Sequence, residues 1–123
     1  MTFIDTNVIL RYLLNDIPEQ SDQAASIIES GAFTLPEIIA EVVYVLTKLY
    51  DIPRNEIKDI ILPVFDEVSI ENPQVMAIAL STYSETKFDF VDCLIFARKK
   101  ALGEDIFTFD KKLLNYLKRI KTG

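Results

Sequence analysis

Short apolar runs alternate along this chain with longer stretches whose apolar residues recur every three or four positions. The runs at 2–5, 33–35, 68–70 and 106–109 have the length and composition of buried strands. Between them the spacing turns helical. Residues 8–15 (VILRYLLN) carry a helical apolar face that ends at Asn15 and Asp16. Pro18 suits the first turn of a second helix, whose positions Ala24, Ala25, Ile27 and Ile28 lead to a stop at Gly31. Pro36 opens a helix reaching Tyr50. Pro53 opens another with Ile57, Ile60, Ile61 and Val64 as its stripe, which Pro63 should kink or end. Pro73 and Asp89 start two further helices, to Glu85 and Gly103, and KKLLNYLKRI forms a terminal one. Strands separated by helices predict an α/β fold. We expect one domain over residues 1–123, with a central parallel sheet of about four strands flanked by helices on both faces.

Four carboxylates stand at the edges of these apolar segments: Asp5 in FIDTNV, Glu41 in IIAEVV, Asp92 in FDFVDCLIFA and Asp110 in FTFD. If they converge, a cation has to offset them, because like charges in close contact repel by about 4 kcal/mol per pair at an effective dielectric of about 20. Asp5 lies where the first strand gives way to a helix, the end of a parallel sheet at which ligands bind; it is equally placed to cap that helix. Thr6 and Asn7 add a hydroxyl and an amide to either role. Glu41 shares a polar stripe with Glu37, Tyr44 and Lys48, opposite Ile38, Val42, Val45 and Leu49, so by itself it reads first as a solvated glutamate. Asp89 and Asp92 are three apart at a helix start, where the dipole favours negative charge; a cap pair and a functional pair fit equally. Asp110 repeats the arrangement of Asp5, with Thr108 facing the same way two residues before it. Caps would explain each acid separately, whereas a shared site explains why two strands both end on one.

Composition narrows the chemistry. At 123 residues, 50% apolar, the chain has material for one core. Histidine is absent and Cys93 is the one cysteine, which removes Ser-His-Asp and Cys-His catalysis, His-ligated zinc and an internal disulfide. Three glycines cannot write a P-loop or a Gly-rich dinucleotide turn. No apolar run approaches the roughly 18 residues of a membrane helix, and Asp5 stands where a signal peptide would be basic and then apolar, so a cytoplasmic protein is expected. The net charge of −6 conceals a split: residues 98–123 hold eight basic side chains against three acids, and the first 97 hold five against sixteen. The basic quarter, Lys121 included, would suit a polyanion beside an acidic site, or simply form a solvated face.

FIDTNVILRYL, the isolated Glu41, DFVDCLIFARKKA and FTFDKKL, in that order, resemble the acidic motifs of the PIN domain, and most closely its VapC-like toxin ribonucleases. Two departures stand out: the terminal helix is followed by no evident last strand, and Phe109 occupies the position where an arginine or asparagine usually precedes the last acid. The resemblance implies a magnesium or manganese site for RNA cleavage, with Asp5, Glu41, Asp92 and Asp110 as metal-binding and catalytic acids and Asp89 as a further candidate. Carboxylates alone do suit hard cations, which activate water and so supply the base that the composition lacks. By the same resemblance Thr6, Asn7 and Thr108 would orient substrate, and products would carry a 5′-phosphate and a 3′-hydroxyl. The partners implied are RNA, a second copy in a homodimer and an antitoxin protein, with no membrane. The early helices look too apolar for one small core at Ile9, Leu10, Tyr12, Leu13, Val43, Tyr44, Leu46 and Tyr50, which suggests a groove for such a partner. The alternatives are a catalytically silent PIN-like protein-binding module and a receiver-like phospho-accepting domain. The receiver fits less well, because it needs a neighbouring acid pair and a lysine directly after the last strand, whereas Asp5 stands alone and Phe109 is followed by Asp110.

Overall fold

Proline opens several of the helices in this fold, and asparagine and glycine close two of them. The computed structural model describes residues 1–120, so Lys121 lies outside it. Strand β1 (Thr2–Phe3) leads into helix α1 (Thr6–Leu14), which ends at Asn15 in the left-handed conformation, φ 50°. Asparagine tolerates that conformation better than most residues. Helix α2 (Pro18–Glu29) and strand β2 (Ala32–Phe33) follow, then α3 (Pro36–Lys48) and α4 (Arg54–Ile61). Pro18 and Pro36 each occupy a first helical turn, where the missing N–H costs nothing. Past Ile61 the chain tightens into a 3-10 turn, Leu62–Asp66, around Pro63. Strand β3 (Val68–Ser69), α5 (Pro73–Glu85), α6 (Phe90–Leu102) and α7 (Lys111–Leu117) complete the order. Gly103, at φ 68°, closes α6.

The three strands form one parallel sheet in the order β1-β2-β3, with Thr2 beside Ala32 and Ala32 beside Val68. Its helical cover buries Ala32 and Val68, and alternation sends Phe3, Phe33 and Ser69 to the opposite face. That face is open: Phe3 and Phe33 are 45% and 37% exposed, their rings 5.5 Å apart. Helices α1 and α2 border this face, lining a groove with Phe3.

The expected fourth strand at 106–109 is absent, so among the described residues the sheet has three strands rather than about four. Its alternation is that of a strand, but its polar groups are satisfied locally. The Thr108 hydroxyl accepts from the Asp110 N–H at 3.1 Å, and the Asp110 carboxylate accepts from the first turn of α7. Such local bonds compete with a ladder. Phe107 and Phe109 stay 85% and 90% exposed, their rings edge to face, while Ile106 joins a small cluster of Phe96, Leu113 and Leu117. The terminal helix is also shorter than expected, ending at Leu117.

The main core draws on α1, α3, α4, α5 and α6, with Ile9, Ile39, Leu46, Ile57, Ile61 and Leu80 fully buried. Each such side chain contributes about 1.5–3 kcal/mol on leaving water. Four residues expected to overflow the core, Ile9, Leu10, Val43 and Leu46, are inside it; of that set only Tyr44 and Tyr50 are exposed. Several helices packed on one another hide more apolar surface than their separate stripes suggest. Among the described residues no helix is long and apolar enough to cross a membrane.

Candidate functional site

The first link between sequence and site is that three of the aspartates are helix caps. Asp5 is exposed after β1 and its Oδ1 accepts from the Val8 N–H at 3.3 Å. Asp89 caps α6, accepting from the Asp92 N–H at 2.8 Å. Asp110 caps α7, accepting from Lys112 and Leu113 N–H groups at 2.9 and 3.1 Å. Each cap satisfies helical N–H groups that would otherwise lack partners, and each leaves the second carboxylate oxygen free of such bonds.

Asp92 differs from them. It sits in the first turn of α6, half-buried, and its carboxyl is held above the ordinary aspartate range. Burial is the largest cause; the charges of Asp89 and Asp110 and a side-chain hydrogen bond with Asp89 add to it. Asp89, Asp92 and Asp110 thus share one electrostatic neighbourhood. Beside them Cys93 is fully buried, and burial pushes its thiol up to about 11, which makes it an inert core residue.

Glu41 is exposed on α3, as its polar stripe predicts. The helices that carry the four acids pack in series: α1 against α3, α3 against α6, and α6 against α7. Among the described residues no group of three acids lies close enough to hold a metal ion. Thr6, next to Asp5, is buried and its Oγ1 has no hydrogen-bond partner, an unsatisfied oxygen beside a carboxylate. Asn7 is exposed and lines an apolar groove with Phe3, Val8 and Arg11. Thr108 is occupied with the Asp110 backbone.

The donor chemistry fits a hard divalent cation. Every candidate ligand is a carboxylate or hydroxyl oxygen, and magnesium commonly takes one or two protein carboxylates while keeping several waters. Asp92 with a neighbouring acid meets that requirement.

Residues that the sequence did not single out adjoin these acids. Lys48, Arg54 and Lys87 line one groove with Tyr44 and Asp89. Lys48 and Tyr44 were visible on the stripe of Glu41, but Arg54 and Lys87 come from other elements and had no local signal.

No curated protein and no solved structure matches the chain. A profile described as the PIN domain matches residues 2–119, a span that takes in all three strands and every acid from Asp5 to Asp110. The chain therefore belongs to the PIN domain family, whose members are commonly nucleases and generally use divalent metal ions.

Proposed function

We propose that this protein is a metal-dependent endoribonuclease that hydrolyses RNA phosphodiesters through Asp5, Glu41, Asp92 and Asp110, and that it acts as the toxin of a toxin–antitoxin pair. The observation that carries this reading is Asp92, a half-buried carboxyl set against two further acids. Among the described residues no basic side chain pairs with it. Acids gathered at a free-energy cost favour the binding of a cation that offsets their charge. The serial packing of α1, α3, α6 and α7 supports including Asp5, Glu41 and Asp110 in the same region.

Asp92 and Asp110 would hold magnesium or manganese, with Asp89 as a further ligand and Asp5 and Glu41 completing the oxygen set. Such a cation, when bound, acidifies water and stabilises charge on a leaving oxygen. Asp5 and Asp110 orient donors rigidly because each is fixed by its helix cap. Thr6, whose hydroxyl is uncommitted, and Asn7 and Thr108 would position substrate or the acids themselves.

The caps also favour a second reading. Asp5, Asp89 and Asp110 each have a structural role without any metal, as they would in a catalytically silent module that binds a protein partner. A homodimer and an antitoxin partner belong to the toxin reading; exposed Phe3, Phe33, Leu49 and Tyr50 supply apolar surface for them.

Purified protein should cleave single-stranded RNA in magnesium or manganese and stop in EDTA, and Glu41→Ala should lose activity while staying folded. Cleavage unchanged in Glu41→Ala would return Glu41 to the solvated surface. No cleavage in either metal would leave the silent module.

A further inference from the structure

The first 97 residues are strongly acidic, with sixteen acids against five basic side chains: Arg11, Lys48, Arg54, Lys58 and Lys87. Three of those five, Lys48, Arg54 and Lys87, line a single groove between α3 and the α5–α6 connection. Scattered surface lysines would not gather in this way on so acidic a background. The groove encloses about 440 Å³ and one acid, Asp89, stands on its wall. Its volume is within the roughly 300–1,000 Å³ of ligand sites.

The groove is built rather than incidental. Arg54 donates from Nε to the Tyr83 carbonyl at 3.2 Å and from a terminal nitrogen to the Phe88 carbonyl, and its guanidinium lies over the Tyr83 ring, 3.6 Å from the centroid. Tyr83 and Thr47 hydroxyls meet at 3.1 Å, tying α3 to α5 across the floor. Arg54 therefore fixes the connection that carries Lys87. Lys48 and Lys87 are exposed and, among the described residues, form no ion pair. Tyr44, 61% exposed, presents its ring on the same wall as Lys48.

We propose that this groove seats a single-stranded stretch of the RNA substrate, with Tyr44 stacking on a base, Lys48 and Lys87 neutralising adjoining phosphates, and Arg54 positioning the wall. An exposed aromatic ring between basic side chains is the usual platform for single strands, since every base has a face to stack. The groove also runs to the candidate acids: Asp89 lines it and bonds to the Asp92 backbone. A strand held here is delivered to Asp92. The inference rests on the nuclease reading for its substrate class.

The test is fluorescence anisotropy with a fluorescein-labelled single-stranded oligouridylate, in EDTA so that nothing is cut. Tyr44→Ala should weaken binding by about fivefold or more, and Tyr44→Phe, which keeps the ring, should restore it. Lys48→Gln with Lys87→Gln should flatten the dependence of log affinity on log salt by about 1.4, two phosphates at about 0.7 each. All these side chains are exposed, so the variants leave the core intact. Unchanged affinity and slope, or a duplex of the same length that competes equally well, would overturn the groove. Wild-type protein that cleaves RNA while these variants bind it normally overturns the groove and leaves the nuclease standing. Tyr44-dependent binding by a protein that cleaves nothing supports the groove and overturns the nuclease.

Discussion

Asp92 is under electrostatic tension, and that tension can be measured without any substrate. Its folded-state pKa stands above that of the unfolded chain, so the native state favours the neutral form. Stability is fully present below the unfolded value and is lost as pH rises through the folded one. In EDTA, Asp92→Asn should match the wild-type Tm at about pH 3, below the ordinary aspartate value of about 3.9, and exceed it at about pH 7. Magnesium should then stabilise the wild type alone, since a ligand of the native state raises its Tm. A variant less stable than wild type at neutral pH in EDTA would show that the Asp92 charge is satisfied by something else. Residue-scale chemistry was partly legible from sequence. A cap was one of two readings open for Asp5, Asp89 and Asp110, and it could be read because a cap depends only on the next three residues. The tension at Asp92 was not legible, since its largest cause is burial by the fold, to which Asp89 and then Asp110, on a different helix, add.

Elements were legible wherever the chain carries its own stop signals. Pro18, Pro36 and Pro73 open helices, and Asn15 and Gly103 close them. The segment at 106–109 carried no such signal against strand, yet the Thr108 and Asp110 side chains settle its backbone locally. Exposure gives this difference an energetic test. Leu46→Ala, at a fully buried position of α3, should cost about 2–5 kcal/mol in denaturant unfolding. Phe109→Ser, at a position 90% exposed, should change stability by no more than about 0.5 kcal/mol. A large loss from Phe109→Ser would mean that this segment is packed in solution, as a fourth strand would be. The same contrast shows why apolar periodicity alone misjudged the surface of α1 and α3: it marks which face turns inward, and says nothing of how many neighbours arrive to cover it.

Across the whole molecule, charge is divided more sharply than the net −6 suggests. The acids that lie near Asp92 stand at the starts of α6 and α7, and the basic groove adjoins them. Sequence order alone predicted acids in a PIN-like arrangement, and the match over residues 2–119 bears out the family. The basic groove required the fold, because its cations come from α3, α4 and the α5–α6 connection. The central claim is that Asp92 and its neighbouring acids make this protein a metal-dependent ribonuclease. Its most direct test is the single-turnover rate of single-stranded RNA cleavage in magnesium, for wild type and for Asp92→Asn with an unchanged circular dichroism spectrum. Loss of an electrostatic group at a reacting centre predicts a fall of at least about a hundredfold. Equal rates in the two proteins would contradict the account.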